Sequence, residues 1–271
     1  MPRPTFDLPG LPGDLQRIET ALAEAVRTED PYLSELAAHL VLAGGKLLRP
    51  VLTVAAAQVA GSPSSEDAVQ GGVACELVQT GSLYHDDVMD EATTRRGVDT
   101  VNARWGNMQA ILAGDFLLAK ASEIAASLGT EVAGLLAATI GRLCEGQVGE
   151  LRTAFNPART EVEYLESIAG KTASLMAAAC RIGGICAGLG RAEIDAVTDF
   201  GTAFGMAFQI RDDVLDVTAT GADGSTVTKS GSAYELGPVD PVYESLYPNA
   251  HERLLAHLES LVPVLSSANE I

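Results

Sequence analysis

An all-α helical bundle is the fold the sequence predicts, on three observations. Apolar residues recur at helical spacing from Asp14 onward. The composition, 47% hydrophobic but only 5% aromatic, is rich in alanine and suits close-packed helices. No alternating apolar-polar run of useful length occurs, and no Asn-Gly or Asp-Gly pair is flanked by β-branched segments.

The elements follow in order. Residues 1–13, rich in Pro and Gly, read as a loose leader. Leu15, Ile18, Leu22, Ala25 and Val26 form a first apolar stripe, and Leu33, Leu36 and Leu40 form a second after the Asp30-Pro31 helix start. Further helices are predicted over 47–60, 65–90, 99–128, 130–153, 160–188 and 192–217, punctuated by Gly61-Ser-Pro, Gly97, Gly129-Thr130, Asn156-Pro157 and Gly190. Beyond Val217 the texture changes: Thr218 to Pro241 reads as a polar loop carrying Lys229, and a short helix from about Asn249 to Leu261 follows. The whole chain, 1–271, is taken as one domain, with 218–271 an atypical, shortened C-terminal region.

Composition narrows the function. With 18 Lys+Arg against 36 Asp+Glu, the net charge of −18 repels nucleic acid and anionic lipid, so neither is expected as a partner unless cations intervene. Cys75, Cys144, Cys180 and Cys186 lack metal-ligand spacing and are read as reduced core residues of a cytoplasmic protein. The most apolar stretch, Ser174–Gly190, is interrupted by Arg181 and four glycines, so no membrane span is expected.

Two segments carry the chemistry: His85-Asp86-Asp87-Val88-Met89-Asp90 and Gln209-Ile210-Arg211-Asp212-Asp213-Val214-Leu215-Asp216. Each holds Asp-Asp-x-x-Asp at the end of a predicted helix, where positions i and i+4 share a face. Three carboxylates at a helix C-terminus repel one another and oppose the macrodipole. A solvated acidic helix end accounts for one such motif but poorly for two. Hard divalent cations relieve the repulsion, and Mg²⁺ favours one or two carboxylates together with water and substrate phosphates. Basic residues complement the acids: Lys46 and Arg49 in Gly44-Gly45-Lys46-Leu47-Leu48-Arg49-Pro50, the pair Arg95-Arg96, and Lys171 among small apolar neighbours. Each admits a surface or snorkelling alternative; together they supply donors for two anionic groups.

At these residues the sequence resembles the trans-isoprenyl diphosphate synthase (polyprenyl synthase) family. The likeness runs from about Gly44 to Val217 through ordered landmarks: Gly-Gly-Lys-x-x-Arg-Pro, Ser-Leu-x-His-Asp-Asp-x-x-Asp, Arg-Arg-Gly, Ala113-Gly114-Asp115, Lys-Thr-Ala, and Gly-x-x-Phe-Gln-Ile-x-Asp-Asp-x-x-Asp. It implies an isoprenoid synthase-type bundle with a deep central cavity, a homodimer, and head-to-tail addition of isopentenyl diphosphate to an allylic diphosphate. Asp86, Asp87, Asp90, Asp212, Asp213 and Asp216 would hold Mg²⁺ on the allylic diphosphate. Arg95, Lys171 and Gln209 would help stabilise that diphosphate as it leaves, with Thr172 lining the site. Lys46, Arg49, Arg96 and Gln79 would hold isopentenyl diphosphate. Asp86, Asp87, Lys171 and Asp212 are the residues expected to act catalytically.

In this family, product length depends on side chains one or two turns before the first acid motif. Here these are Gly81 and Ser82 with Val78 below, which implies an open floor and a product of twenty carbons or more; close helix packing is the alternative meaning of the small residues. The sequence departs from the family at Leu47 and, more seriously, after Asp216, where the usual Gly-Lys-Pro loop is missing. Two competing readings follow: a class I terpene cyclase, and a non-catalytic subunit of a heteromeric synthase.

Overall fold

The computed structural model describes residues 10–61, 64–153, 156 and 158–218, with side chains described as far as Asp213. The predicted loop beyond Thr218, Lys229, the helix at 249–261 and the first nine leader residues lie outside the described residues. The helices are α1 (Leu11–Ala25), α2 (Pro31–Leu42), α3 (Leu48–Gln58), α4 (Glu66–Met89), α5 (Val101–Trp105), α6 (Asn107–Ser127), α7 (Thr130–Thr153), α8 (Glu161–Ile168), α9 (Ser174–Cys186) and α10 (Arg191–Thr218). A π-helical turn, Ala169–Ala173, joins α8 to α9.

Local chemistry explains the starts. The Asp30 carboxylate accepts from the amides of Tyr32 and Leu33 just ahead of Pro31. Ser65 caps α4, and Thr160 and Glu163 form a reciprocal capping box on α8. α1 begins at Leu11, inside the expected leader, because Pro12 is tolerated in a first turn. The expected helix 99–128 is two helices, broken at Gly106, whose φ of 101° no helix accommodates.

The described residues also include a small antiparallel hairpin, too short to alter the all-α class. β1 (Thr94–Arg95) pairs with β2 (Val98–Asp99), Thr94 opposite Asp99 and Arg95 opposite Val98. Its two-residue loop is Arg96-Gly97, with φ of 54° and 80°. Both loop residues therefore have the positive φ of a type I′ turn, for which Asn-Gly is the usual signal. Here an arginine takes the first position.

α4 is the centre of the bundle, packed against α1, α3, α6 and α9. Tyr84, fully buried, donates to the Leu36 carbonyl at 2.7 Å and accepts from the Leu40 amide at 3.2 Å, so α2 is tied to the last turns of α4. Burying that ring contributes on the order of 1.5–3 kcal/mol, and the bonds spare its hydroxyl from being orphaned. Gly81 resolves one of the alternatives left by the sequence: a Cβ there would sit 3.0 Å from the Gly114 carbonyl oxygen and 3.3 Å from Leu118 of α6. Gly81 is thus a packing position against α6, and Val78 is fully buried. Cys75 and Cys180 are in the core as expected, but Cys144 is exposed on α7 and corrects that part of the reading. Among the described residues no helix is long and apolar enough to cross a membrane.

Candidate active site

Three segments meet around one ion pair. The π-helical turn presents Lys171, whose ammonium donates to Glu150 of α7 at 2.6 Å. π-Turns of this kind recur where a helix is re-aimed for a function. Two glycines let α7 approach this turn: a Cβ on Gly146 would lie 2.4 Å from the Lys171 amide nitrogen, and one on Gly170 would lie 3.0 Å from the Arg142 carbonyl oxygen. Glu150, one turn after Gly146, is thereby brought onto Lys171.

Asp86 and Asp90, i and i+4 at the end of α4, both lie within electrostatic reach of Lys171 and Glu150. Burial pushes both carboxyls upward, and Lys171 opposes the shift. Lys171 itself is held above its usual range: burial works against its charge, but Asp86, Glu150 and Asp90 outweigh it. Asp213 is also pushed up by burial, against bonds from Tyr164 and Gln209, and it too feels Glu150. The pair Lys171–Glu150 therefore faces both acid motifs.

A hydrogen-bonded chain secures the second motif. Thr172 donates to Gln209 at 2.7 Å, Gln209 donates to Asp213 at 2.8 Å, and the Tyr164 hydroxyl donates to the other Asp213 oxygen at 2.6 Å. Thr172, Gln209 and Asp213 were expected together and are found together; Tyr164 was not expected. Asp212 lies beside Asp213 on α10, and Asp216 is in the last turns of that helix, its side chain outside the described residues.

Asp87 stands apart from the other two acids of its motif. It does not join Asp86 and Asp90 at Lys171 but turns inward to the hairpin, 1% exposed, where its Oδ1 accepts from the Arg95 guanidinium at 2.5 Å. Burial raises it to about 6 despite Arg95, and its Oδ2 is buried with no partner. Helical geometry allows it: i+1 is rotated about 100° from i, which turns Asp87 from the Asp86 direction toward the hairpin. Arg95, expected on the departing diphosphate, is correspondingly engaged with Asp87.

Of the four residues expected at the second anion site, Arg49 and Arg96 are brought together. Arg96 follows Arg95 round the hairpin turn and points elsewhere: it donates to the Leu40 carbonyl at 2.8 Å and lies 3.3 Å from Glu76 of α4. Arg49 is electrostatically coupled to both Glu76 and Arg96, and burial lowers it. Its Nε is buried with no partner. Lys46 lies 5.3 Å over the Phe208 ring of α10. Gln79 is one turn beyond Glu76 on α4, half-buried.

The donor set suits a hard divalent ion. All candidate ligands are carboxylate oxygens, and partly dry carboxylates with raised proton affinity are groups a cation would favour. Among the described residues no three His, Cys, Asp or Glu side chains converge on one point.

The family profile described as polyprenyl synthetase matches residues 30–230. The nonaprenyl diphosphate synthase of Mycobacterium tuberculosis is 40% identical over 201 residues, covering 74% of this chain and 60% of that protein. The heptaprenyl diphosphate synthase component 2 of Geobacillus stearothermophilus is 39% identical over 258 residues, covering 93% and 78%. The structure of geranylgeranyl pyrophosphate synthase from Corynebacterium glutamicum, complexed with calcium and isoprenyl diphosphate, matches with a TM-score of 0.78 at 31% identity, covering 97% of this chain and 91% of that one.

Proposed function

The chain belongs to the polyprenyl synthetase family, and on that footing we propose that it is a prenyltransferase joining isopentenyl diphosphate head-to-tail to an allylic diphosphate. The observation that carries the reading is the Lys171–Glu150 pair in electrostatic reach of Asp86, Asp90 and Asp213. It pairs one half-buried cation with several acids, a set suited to a diphosphate that arrives with its own divalent ions. Because the matched segment spans only 60% of the nonaprenyl synthase, activity is proposed for this chain rather than carried over.

Asp86 and Asp90 on one side, with Asp212, Asp213 and Asp216 on the other, would hold Mg²⁺. When bound, that ion supplies Lewis-acid stabilisation of the diphosphate oxygens as the C–O bond to the allylic carbon breaks. Asp213 would contribute mainly by orienting Gln209, since both its oxygens already accept bonds. Lys171 donates hydrogen bonds to the leaving diphosphate. Gln209 and Thr172 present oxygen dipoles beside the allylic cation. Lys46, Arg49, Arg96 and Gln79 hold isopentenyl diphosphate so that its double bond attacks that cation; the new C–C bond forms, and the proton lost from isopentenyl passes to the departed diphosphate.

A product of twenty carbons or more fits the long-chain relatives. No aromatic side chain stands at 78, 81 or 82, although Gly81 is spent on helix packing. A homodimer is supported by apolar stripes left exposed on adjacent helices: Met108, Ile111 and Leu112 of α6, and Val148 and Leu151 of α7. The four free cysteines suit a cytoplasmic setting. A second reading, one component of a multi-subunit synthase, is favoured by the name of the Geobacillus relative.

The test is incubation with Mg²⁺, radiolabelled isopentenyl diphosphate and farnesyl or geranylgeranyl diphosphate, followed by product sizing. Label in extended products, absent with Asp86→Ala or Asp212→Ala, is the expected result. Diphosphate release without incorporation would instead indicate a cyclase, and neither signal would indicate a subunit that needs a partner.

A further inference from the structure

Glu76 sits where an anion-binding pocket should least tolerate a carboxylate. It is 4% exposed, on the central helix α4, in a run of otherwise buried small and apolar residues from Val73 to Val78. Its charge meets two guanidiniums: Arg96, whose Nη2 is 3.3 Å from its Oε1, and Arg49, to which it is electrostatically coupled. Such a carboxylate weakens the pocket's attraction for diphosphate, and a buried ion is costly to keep.

Three features suggest what offsets that cost. Arg96 stands on a backbone φ of 54°, a conformation that disfavours an arginine, so something must fix the turn. Its Nη1 is anchored on the Leu40 carbonyl, and the Cβ position of Gly45 lies 3.1 Å from its Cζ, so the guanidinium is boxed on two sides. The guanidinium carries five N–H donors and bonds Leu40 and Glu76 with one each, so it has donor capacity for another anion. Arg49 meanwhile keeps a buried Nε with no partner. Two guanidiniums thus share one carboxylate, leaving one positive charge in excess.

We infer that Glu76 is a positioning residue: the internal counter-ion that holds Arg96 and Arg49 side by side in the orientation that receives isopentenyl diphosphate. The inference rests on the function proposed above and adds to it a residue that never touches substrate. Without Glu76 the two guanidiniums repel and swing apart. The net effect on isopentenyl diphosphate is then weaker binding, even though a negative charge has been removed.

The experiment is metal-free calorimetric titration of isopentenyl diphosphate into the full chain and its E76Q, E76D, R96Q and E76Q/R96Q variants. The KM of each for the allylic diphosphate and the melting temperature are measured in parallel. E76Q is expected to weaken isopentenyl diphosphate binding by about ten- to a hundredfold, the scale of one charged hydrogen bond, with the allylic KM unchanged. E76D, which keeps the charge, should recover part of the loss. In the R96Q background, removing Glu76 should add little, because it acts through that arginine. If E76Q does not melt cooperatively, E76D carries the test by the same substrate-selective shift. Equal or tighter binding in E76Q, parallel loss for both substrates, or an undiminished effect in the R96Q background would each overturn the inference. A wild-type chain that binds no isopentenyl diphosphate would overturn the proposed function and this inference with it; wild-type binding that E76Q leaves intact would overturn this inference alone.

Discussion

Replacing Gly146 by alanine adds one methyl group at the contact that sets Lys171. That methyl would lie 2.4 Å from the Lys171 amide nitrogen, and 2.9 Å from both the Gly170 carbonyl carbon and the Ser167 oxygen. Ordinary contact is nearer 3.5–4 Å, so α7 and the π-turn must separate by about 1 Å. All three obstructing atoms are backbone, so no side-chain rotation relieves them. Overpacking of this kind costs about 1–3 kcal/mol; with no rotamer escape we expect the upper half of that range, offset slightly by alanine's better helix propensity. At roughly 2–4 °C per kcal/mol for a chain of this size, melting should fall by about 4–10 °C. A 1 Å displacement of Lys171 should cost on the order of a hundredfold in kcat/KM for prenyl transfer. The control is Gly134→Ala on the same helix, where nothing lies within 4 Å; it should gain about 0.5–1 kcal/mol and keep full activity. Calorimetric melting and steady-state assays of both variants decide the matter. A Gly146→Ala chain that melts with wild type and retains kcat/KM would refute the packing argument.

Four further outcomes are expected. Glu150→Gln should lower kcat more than it raises either KM, because it frees Lys171 without removing it; steady-state kinetics with both substrates will read this. Tyr164→Phe should remove one charge-assisted bond, about 1.5–3 kcal/mol, and raise the KM of the allylic substrate selectively. Arg95→Ala should destabilise the chain by about 3–5 kcal/mol at neutral pH by stranding Asp87. Arg95 lowers the Asp87 carboxyl, which even so stands at about 6 in the folded chain, above its unfolded value near 4; without Arg95 it rises further, so the stranded carboxylate takes up its proton as pH falls toward 6 and the variant's deficit should shrink over that descent, read by urea melts from about pH 8 to 6. Leu112→Glu, on the exposed stripe of α6, should convert the proposed dimer into a monomer by light scattering while leaving the melt cooperative.

Local signals in the sequence were dependable where the cause is local. Asp30 before Pro31, Ser65 and Thr160 each cap the helix they were expected to open, and the first acid motif ends its helix. What escaped was long-range. Arg96-Gly97 turns a hairpin because Leu40, fifty-six residues away, accepts from the arginine; no β-propensity signal announces it. Asp87 belongs to Arg95 rather than to Lys171 because the hairpin covers that face of α4, which a heptad count leaves open. The π-turn depends on Gly146 meeting Gly170 across two helices. Glu150 and Tyr164 each had a faint signal: a lone acid four residues after a buried glycine, and an aromatic seven residues before Lys171. Glu76 had a clearer one, as a single charge in the buried middle of α4.

The central claim is that both acid motifs act together on one diphosphate through divalent ions. Calorimetric titration of a non-ionising allylic thiolodiphosphate into the full chain, with and without Mg²⁺, tests it most directly. The account predicts binding that requires Mg²⁺ and is lost equally in Asp86→Asn and Asp212→Asn; Mg²⁺-independent binding, or full affinity in either variant, would contradict it.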